Sequence, residues 1–166
     1  MENGLMWAIV GVSLLFLLMP LLLGLLISPY QQVTRVELIK ASADEVWAAL
    51  ADLPRQAQWR SDLKSMQMID DDAGLRWVEQ SEGGKAVTLR KLKETPLKEL
   101  LLEMRQRGSK GTRQARLNAV PGGTRVTFTE MLETRTPWGR IKARISGDPD
   151  RSLDHFIHQL QAHFTA

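Results

Sequence analysis

The chain contains no cysteine. That removes disulfides, thiol nucleophiles and cysteine-ligated metal together, while leaving open which side of a membrane the protein occupies. Histidine is scarce as well: His155, His158 and His163 are the only three, all close to the C-terminus. No Ser-His-Asp set, metal-ligand cluster or phosphate-cradling glycine loop can be assembled from the sequence, so no catalytic residue, metal or cofactor is assigned. Aromatic residues make up only 6% of the chain, and none alternates with the basic residues as a stacking platform for RNA requires. There is no internal repeat. Charge of either sign is missing from residues 5–27, and this last absence is the most informative.

As a helix, that uncharged run reaches ~34 Å, enough to cross a hydrocarbon core of ~30 Å. Pro20 and Gly24 within it are costly in a soluble helix but tolerated in a spanning one. A cleaved signal peptide is the competing reading. The run is too long for an apolar signal region, no Lys or Arg precedes it, and no A-x-A-like site ends it. Residues 1–30 therefore read as a transmembrane anchor and residues 31–166 as one domain, long enough for a single core. After Pro29 the chain carries 22 basic against 18 acidic residues, a mild excess that suits an anionic membrane surface better than nucleic acid. Arg35 and Lys40 follow the span, so the positive-inside tendency favours a single-pass protein with a cytoplasmic globular domain.

Beyond the anchor, residues 33–40 read as a strand. Ser42 and Glu45 form a capping box for a helix whose apolar side holds Val46, Trp47 and Leu50, stopped by Pro54. A short helical turn follows over 55–60. Strands are expected over 63–69, 75–81, 86–94, 97–107, 111–120 and 126–134, separated by turns rich in Gly, Asp and Pro. The segment 97–107 contains good helix formers, but its position between turn signals favours a strand. Residues 137–139 read as a bend, and 140–145 as the lead into the last helix. There Asp148 can cap and Pro149 can open a helix in which Leu153, Phe156, Ile157, Leu160 and Phe164 share one stripe. Hairpin-linked strands with helices on one side predict an α+β fold: a curved antiparallel sheet around this helix.

Several of these residues resemble a known family. ASADEVWAALADL followed by Trp59, the run of hairpins, Thr136-Pro137-Trp138-Gly139-Arg140 and LDHFIHQLQAHF are together similar to the START-like helix-grip (SRPBCC) superfamily, in its polyketide cyclase/dehydrase-like branch. The resemblance covers the whole region after the anchor. It implies a cavity between sheet and C-terminal helix, often for a lipid, sterol, polyketide or other apolar ligand. Trp59, Trp77, Leu102, Met104, Phe128, Trp138, Phe156 and Leu160 are the candidates to line that cavity, and each serves equally well as plain core.

Titratable groups are weighed in the same way. His155, His158 and Asp154 share a helix face opposite the apolar stripe, where solvated side chains are the simpler account; His163 lies at the stripe's edge. Glu79, Glu103, Glu130, Arg90, Arg105 and Arg116 sit in expected strands. An inward pair among them could act as a base or bind a polar head, and solvent-side ion pairs are the alternative. Arg105, Arg107, Lys110, Arg113 and Arg116 make a basic hairpin suited to anionic lipid head groups, and Arg135, Arg140, Lys142 and Arg144 a second basic stretch. The leading expectation is a membrane-anchored binding protein for a hydrophobic or amphipathic small molecule. A cyclase/dehydratase-type enzyme and a protein- or RNA-interaction module are the alternatives.

Overall fold

The computed structural model describes residues 2–165, leaving aside the side chains of Glu2 and Asp148. Helix α1 (Glu2–Leu26) is exposed along most of its length, and its stretch Asn3–Leu26 is long and apolar enough to cross a membrane. Strand β1 (Tyr30–Ile39) follows after three residues, then helix α2 (Ala43–Ala51) and a 3-10 turn (Pro54–Gln58). Six strands come next: β2 (Leu63–Ile69), β3 (Arg76–Ser81), β4 (Ala86–Thr95), β5 (Glu99–Gln106), β6 (Ser109–Val120) and β7 (Gly123–Thr134). Two helices end the chain, α3 (Pro137–Ser146) and α4 (Asp148–Thr165). The seven strands form one antiparallel sheet in the order β1-β7-β6-β5-β4-β3-β2.

Local chemistry explains most element boundaries. The capping box at α2 forms: the Glu45 N–H donates to Ser42 Oγ at 3.3 Å, and the Ser42 N–H donates to Glu45 Oε2 at 2.9 Å. Within segment 97–107, Glu99–Gln106 form strand β5, whose alternate residues Leu100 and Leu102 are buried on the inner face. A bulge at Leu92 shifts the phase of β4, so Lys91 and Glu94 both pair inward with Leu102 and Leu100 while Leu92 stays exposed.

Two expectations need correction. Residues 137–145 are not a bend and a lead-in but a separate helix, α3, capped by the Thr136 hydroxyl, opened by Pro137 and ended by Gly147 with φ of 60°. The strand expected over 111–120 starts two residues earlier, at Ser109, and so carries Gly111 inside β6. A Cβ there would sit 2.0 Å from the Met131 carbonyl oxygen, so only glycine permits that strand approach. The Asp148 side chain, read as a helix cap, lies outside the described residues.

The core lies between sheet and helices. Leu153, Phe156, Ile157 and Leu160 present one stripe of α4 to Val126 and Phe128 of β7 and to Val46, Leu50 and Leu53 around α2. Full burial of such side chains is worth roughly 1.5–3 kcal/mol each. Polar ties fix the angle of α4. Arg35 of β1 donates to Asp154 at 2.8 Å and to Asp150 at 3.1 Å, and the Gln161 amide donates to Glu37 at 3.2 Å. Those ties hold α4 over β1 and β7, leaving the inner face of β3–β6 less fully covered.

Candidate functional site

Between that less covered sheet face and the first half of α4 lies a cleft of about 680 Å³. Strand parity decides what enters it. On β7, Val126, Phe128, Glu130 and Leu132 share the inner face; on β6, Arg113 is in phase with buried Ala115 and Leu117. On β3, Glu79 is in phase with buried Trp77. The apolar floor is Val87, Leu89, Met104, Leu132 and Phe156. α3 supplies one wall through Gly139, Lys142 and Ala143.

Two ionic clusters are set into this floor. The Arg113 guanidinium donates to Glu130 Oε1 at 2.5 Å, with side-chain exposures of 13% and 7%. Arg60, 5% exposed at its side chain, uses every donor it has. It bonds Glu79 at 2.8 and 2.9 Å, Asp62 at 2.7 and 3.2 Å, and the Gln56 carbonyl oxygen at 3.2 Å. Gln56 in turn donates to the Leu50 carbonyl at the end of α2, and Gln159 of α4 donates to Asp62 at 2.9 Å. Burial on its own would lower the Arg60 pKa; the bonds to Glu79 and Asp62 outweigh it and hold the guanidinium above its ordinary value. For Asp62, burial pushes the carboxyl up, and the guanidinium with the Gln159 amide outweighs that and holds it below the usual range.

The ring of Phe156 joins the clusters. Its centroid lies 4.4 Å from the Arg113 guanidinium carbon and 5.3 Å from that of Arg60, so a cation faces the ring from each cluster. Two guanidiniums and three carboxylates thus line the cleft already bonded to one another. The rim differs. Lys85, Arg107, Lys142 and Arg151 are exposed there and make no ion pair among the described residues.

The residues expected to line a cavity separate into three groups. Met104 and Phe156 reach the cleft. Trp77, Leu102, Phe128 and Leu160 are buried in the core, and Trp59 is half-buried, edge-on to Phe156 at 5.5 Å and stacked on His163 at 6.0 Å. Trp138 lies outside the cleft and is 58% exposed, because the helix opened by Pro137 turns Gly139 and Ala143 inward instead. The basic hairpin is not one surface either. Arg105 pairs with Glu103, Lys110 with Glu133 and Arg116 with Glu99, while Arg113 turns inward and only Arg107 reaches the rim. Of the histidines, His155 stands at the cleft edge and His158 is exposed; Asp154 is occupied by Arg35. Arg60, Asp62 and Gln159 carried no sequence motif, whereas the inward turn of Arg113 and Glu130 was encoded by their parity with Ala115 and Phe128.

A curved antiparallel sheet gripping a terminal helix, with a cleft between them, defines the START-like helix-grip class. The sequence profile of the family described as "Polyketide cyclase / dehydrase and lipid transport" matches residues 30–161, and the chain belongs to that family. Solved structures share the fold. The Zhui aromatase/cyclase from Streptomyces sp. R1128 superposes with a TM-score of 0.67 at 15% identity, covering 82% of this chain and 94% of that one. A START superfamily protein from Mycobacterium smegmatis gives 0.65 at 14% identity over 81% and 97% of the two chains. Mll3558 from Rhizobium loti gives 0.58 at 24% identity over 80% and 96%. No curated protein matches the sequence.

Proposed function

We propose that this protein is a membrane-anchored binding protein for a hydrophobic or amphipathic small molecule, lipid, quinone or polyketide-like, held between the sheet and α4. The observation that carries this reading is the cleft itself. Its volume of about 680 Å³ lies in the range of small-molecule sites, and its interior charges are already paired while its rim is basic. An apolar body can rest on Leu89, Met104 and Leu132, with a polar or anionic head among Lys142, Arg151 and Arg107. The family's description, which includes lipid transport, supports the same class of ligand. Helix α1 serves as the anchor, and Arg35 and Lys40 after it favour a cytoplasmic domain.

Native mass spectrometry of the full chain, extracted in mild detergent, tests the reading. A co-purifying lipid or quinone mass, or uptake of one supplied in micelles, is the expected result. Failure of both would overturn it.

A second reading, a cyclase- or dehydratase-type enzyme, draws on Glu79 and Glu130 in the cleft wall and on the likeness to an aromatase/cyclase. Each carboxylate is held by a guanidinium, so service as a base requires its pair to open. Recovery of the captured molecule chemically altered after incubation would favour this reading; recovery unchanged favours binding.

A further inference from the structure

Helix α3 has no buried side chain, although it forms a wall of the cleft. Trp138 and Ile145 are 58% and 82% exposed, and with half-buried Ile141 they follow the three-then-four spacing of a single helical stripe. Lys142 and Arg144 flank that stripe on its two sides. Water is a poor partner for such a surface, and an interfacial helix has this pattern of an apolar edge bordered by long basic side chains.

The position of α3 is fixed independently. Its first turn packs on the last turn of α1 at Gly24, which is buried. A Cβ on Gly24 would lie 2.5 Å from the Pro137 carbonyl oxygen, so only a glycine allows the two helices to meet. The Thr134 N–H donates to the Pro29 carbonyl at 2.8 Å, and the Arg140 guanidinium donates to the Thr134 carbonyl at 3.1 Å. Gly24 is two residues from the end of α1, about 3 Å along its axis. Tyr30, 57% exposed, begins β1 just beyond.

We infer that α3 lies in the head-group layer of the bilayer, its Trp138–Ile141–Ile145 edge in the acyl boundary and Lys142 and Arg144 among anionic head groups, docked on Gly24 so that the cleft wall it forms opens at the membrane surface. This rests on the reading of α1 as a membrane span. The domain is then held in one orientation by its anchor instead of hanging from a flexible tether. A lipid-soluble ligand has a short path along α3 from bilayer to cleft.

The absence of cysteine makes the test clean. Ile145→Cys, Leu17→Cys and Arg125→Cys, each in the otherwise unchanged full chain, carry a nitroxide label in phosphatidylcholine–phosphatidylglycerol vesicles. Depth is read from lipid-borne and aqueous relaxation agents. The label at position 17 is expected deep in the bilayer and that at 145 about 5–10 Å below the head-group surface. The label at 125, some 30 Å up β7 from Thr134, is expected in water. An aqueous label at 145 with a deep label at 17 overturns the inference and leaves the span intact. An aqueous label at 17 removes the span itself and the inference with it. Adding Gly24→Leu is expected to move the label at 145 into water without moving that at 17; an unchanged depth at 145 would overturn the docking.

Discussion

Arg113 and Glu130 sit in the cleft wall at a cost that their mutual bond offsets only while both are present. Removing one leaves a buried charge without a partner, so Arg113→Ala is expected to lose about 3–5 kcal/mol in urea unfolding. Replacing both together, Arg113→Met with Glu130→Leu, is expected to recover most of that loss, since an apolar pair of similar volume avoids desolvation. A loss in the double variant equal to the sum of the two single losses would show that the pair is not coupled. Asp62 makes its contribution visible through pH. Its folded-state pKa is lowered, so its stabilisation is complete above the unfolded value of about 3.9 and is lost as pH falls through the folded value. Urea titrations below pH 5 should therefore show a shallower acid limb for Asp62→Asn than for the wild type; identical limbs would remove Asp62 from the account. Leu97 shows a different kind of cost, with φ of 62° in the β4–β5 turn. Asn tolerates that conformation better than a branched apolar residue, so Leu97→Asn is expected to stabilise by about 0.5–1 kcal/mol in the same assay.

At the scale of elements, α4 is held by a stripe in which Leu153, Phe156, Ile157 and Leu160 are almost wholly buried and Phe164 half-buried. Leu160→Ala empties a position with no solvent exposure and is expected to cost about 2–5 kcal/mol, measured by thermal or urea unfolding. A loss below 1 kcal/mol would mean that α4 does not depend on this contact. The α4 stripe, the capping box at Ser42 and Glu45, and all seven strands were legible in the sequence, because period and turn chemistry are local signals. α3 was not read as a helix although its markers were present: Thr136 as cap, Pro137 at the first helical position and Gly147 after the end. With Pro137 and Gly139 in it, the segment 137–139 reads as a bend. What decides the matter is position within the helix, since proline is favoured in a first turn and disfavoured in the interior. Gly139 also has a spatial reason that no local pattern reveals, for a Cβ there would meet Thr134 and Thr136 side-chain atoms at 2.8 and 2.7 Å. In the site the same division holds. The inward faces of Glu79, Arg113 and Glu130 follow from alternation, but the meeting of Arg60 with Glu79 and of Gln159 with Asp62 depends on contacts across long stretches of chain.

Taken as a whole, the molecule separates its charges by depth. Inside the cleft, the two guanidiniums and three carboxylates are bonded to one another and sum to a charge of −1, so the interior offers shape and apolar surface with no unpaired cation among the described residues to draw in an anion. At the mouth, Lys85, Arg107, Lys142 and Arg151 stand exposed and unpaired among the described residues, and two of them come from the helices that form the outer wall. Under the proposed binding role, such an arrangement would select an amphiphile by its two ends: apolar matter would be admitted, and an anionic head would be held where water still screens the cationic groups. Reversing the rim separates this account from simple hydrophobic capture. Lys142→Glu with Arg151→Glu alters exposed side chains that take no part in the core, so folding is expected to stay within ~0.5 kcal/mol of the wild type. Binding of an anionic amphiphile should fall by on the order of tenfold or more at low salt, while a neutral quinone of similar size should bind nearly as before. Raising the ionic strength should shrink the difference between variant and wild type for the anionic ligand only. Isothermal titration in detergent or nanodiscs reads both comparisons. An equal loss for the charged and the neutral ligand would mean that the rim shapes the opening and does not recognise charge.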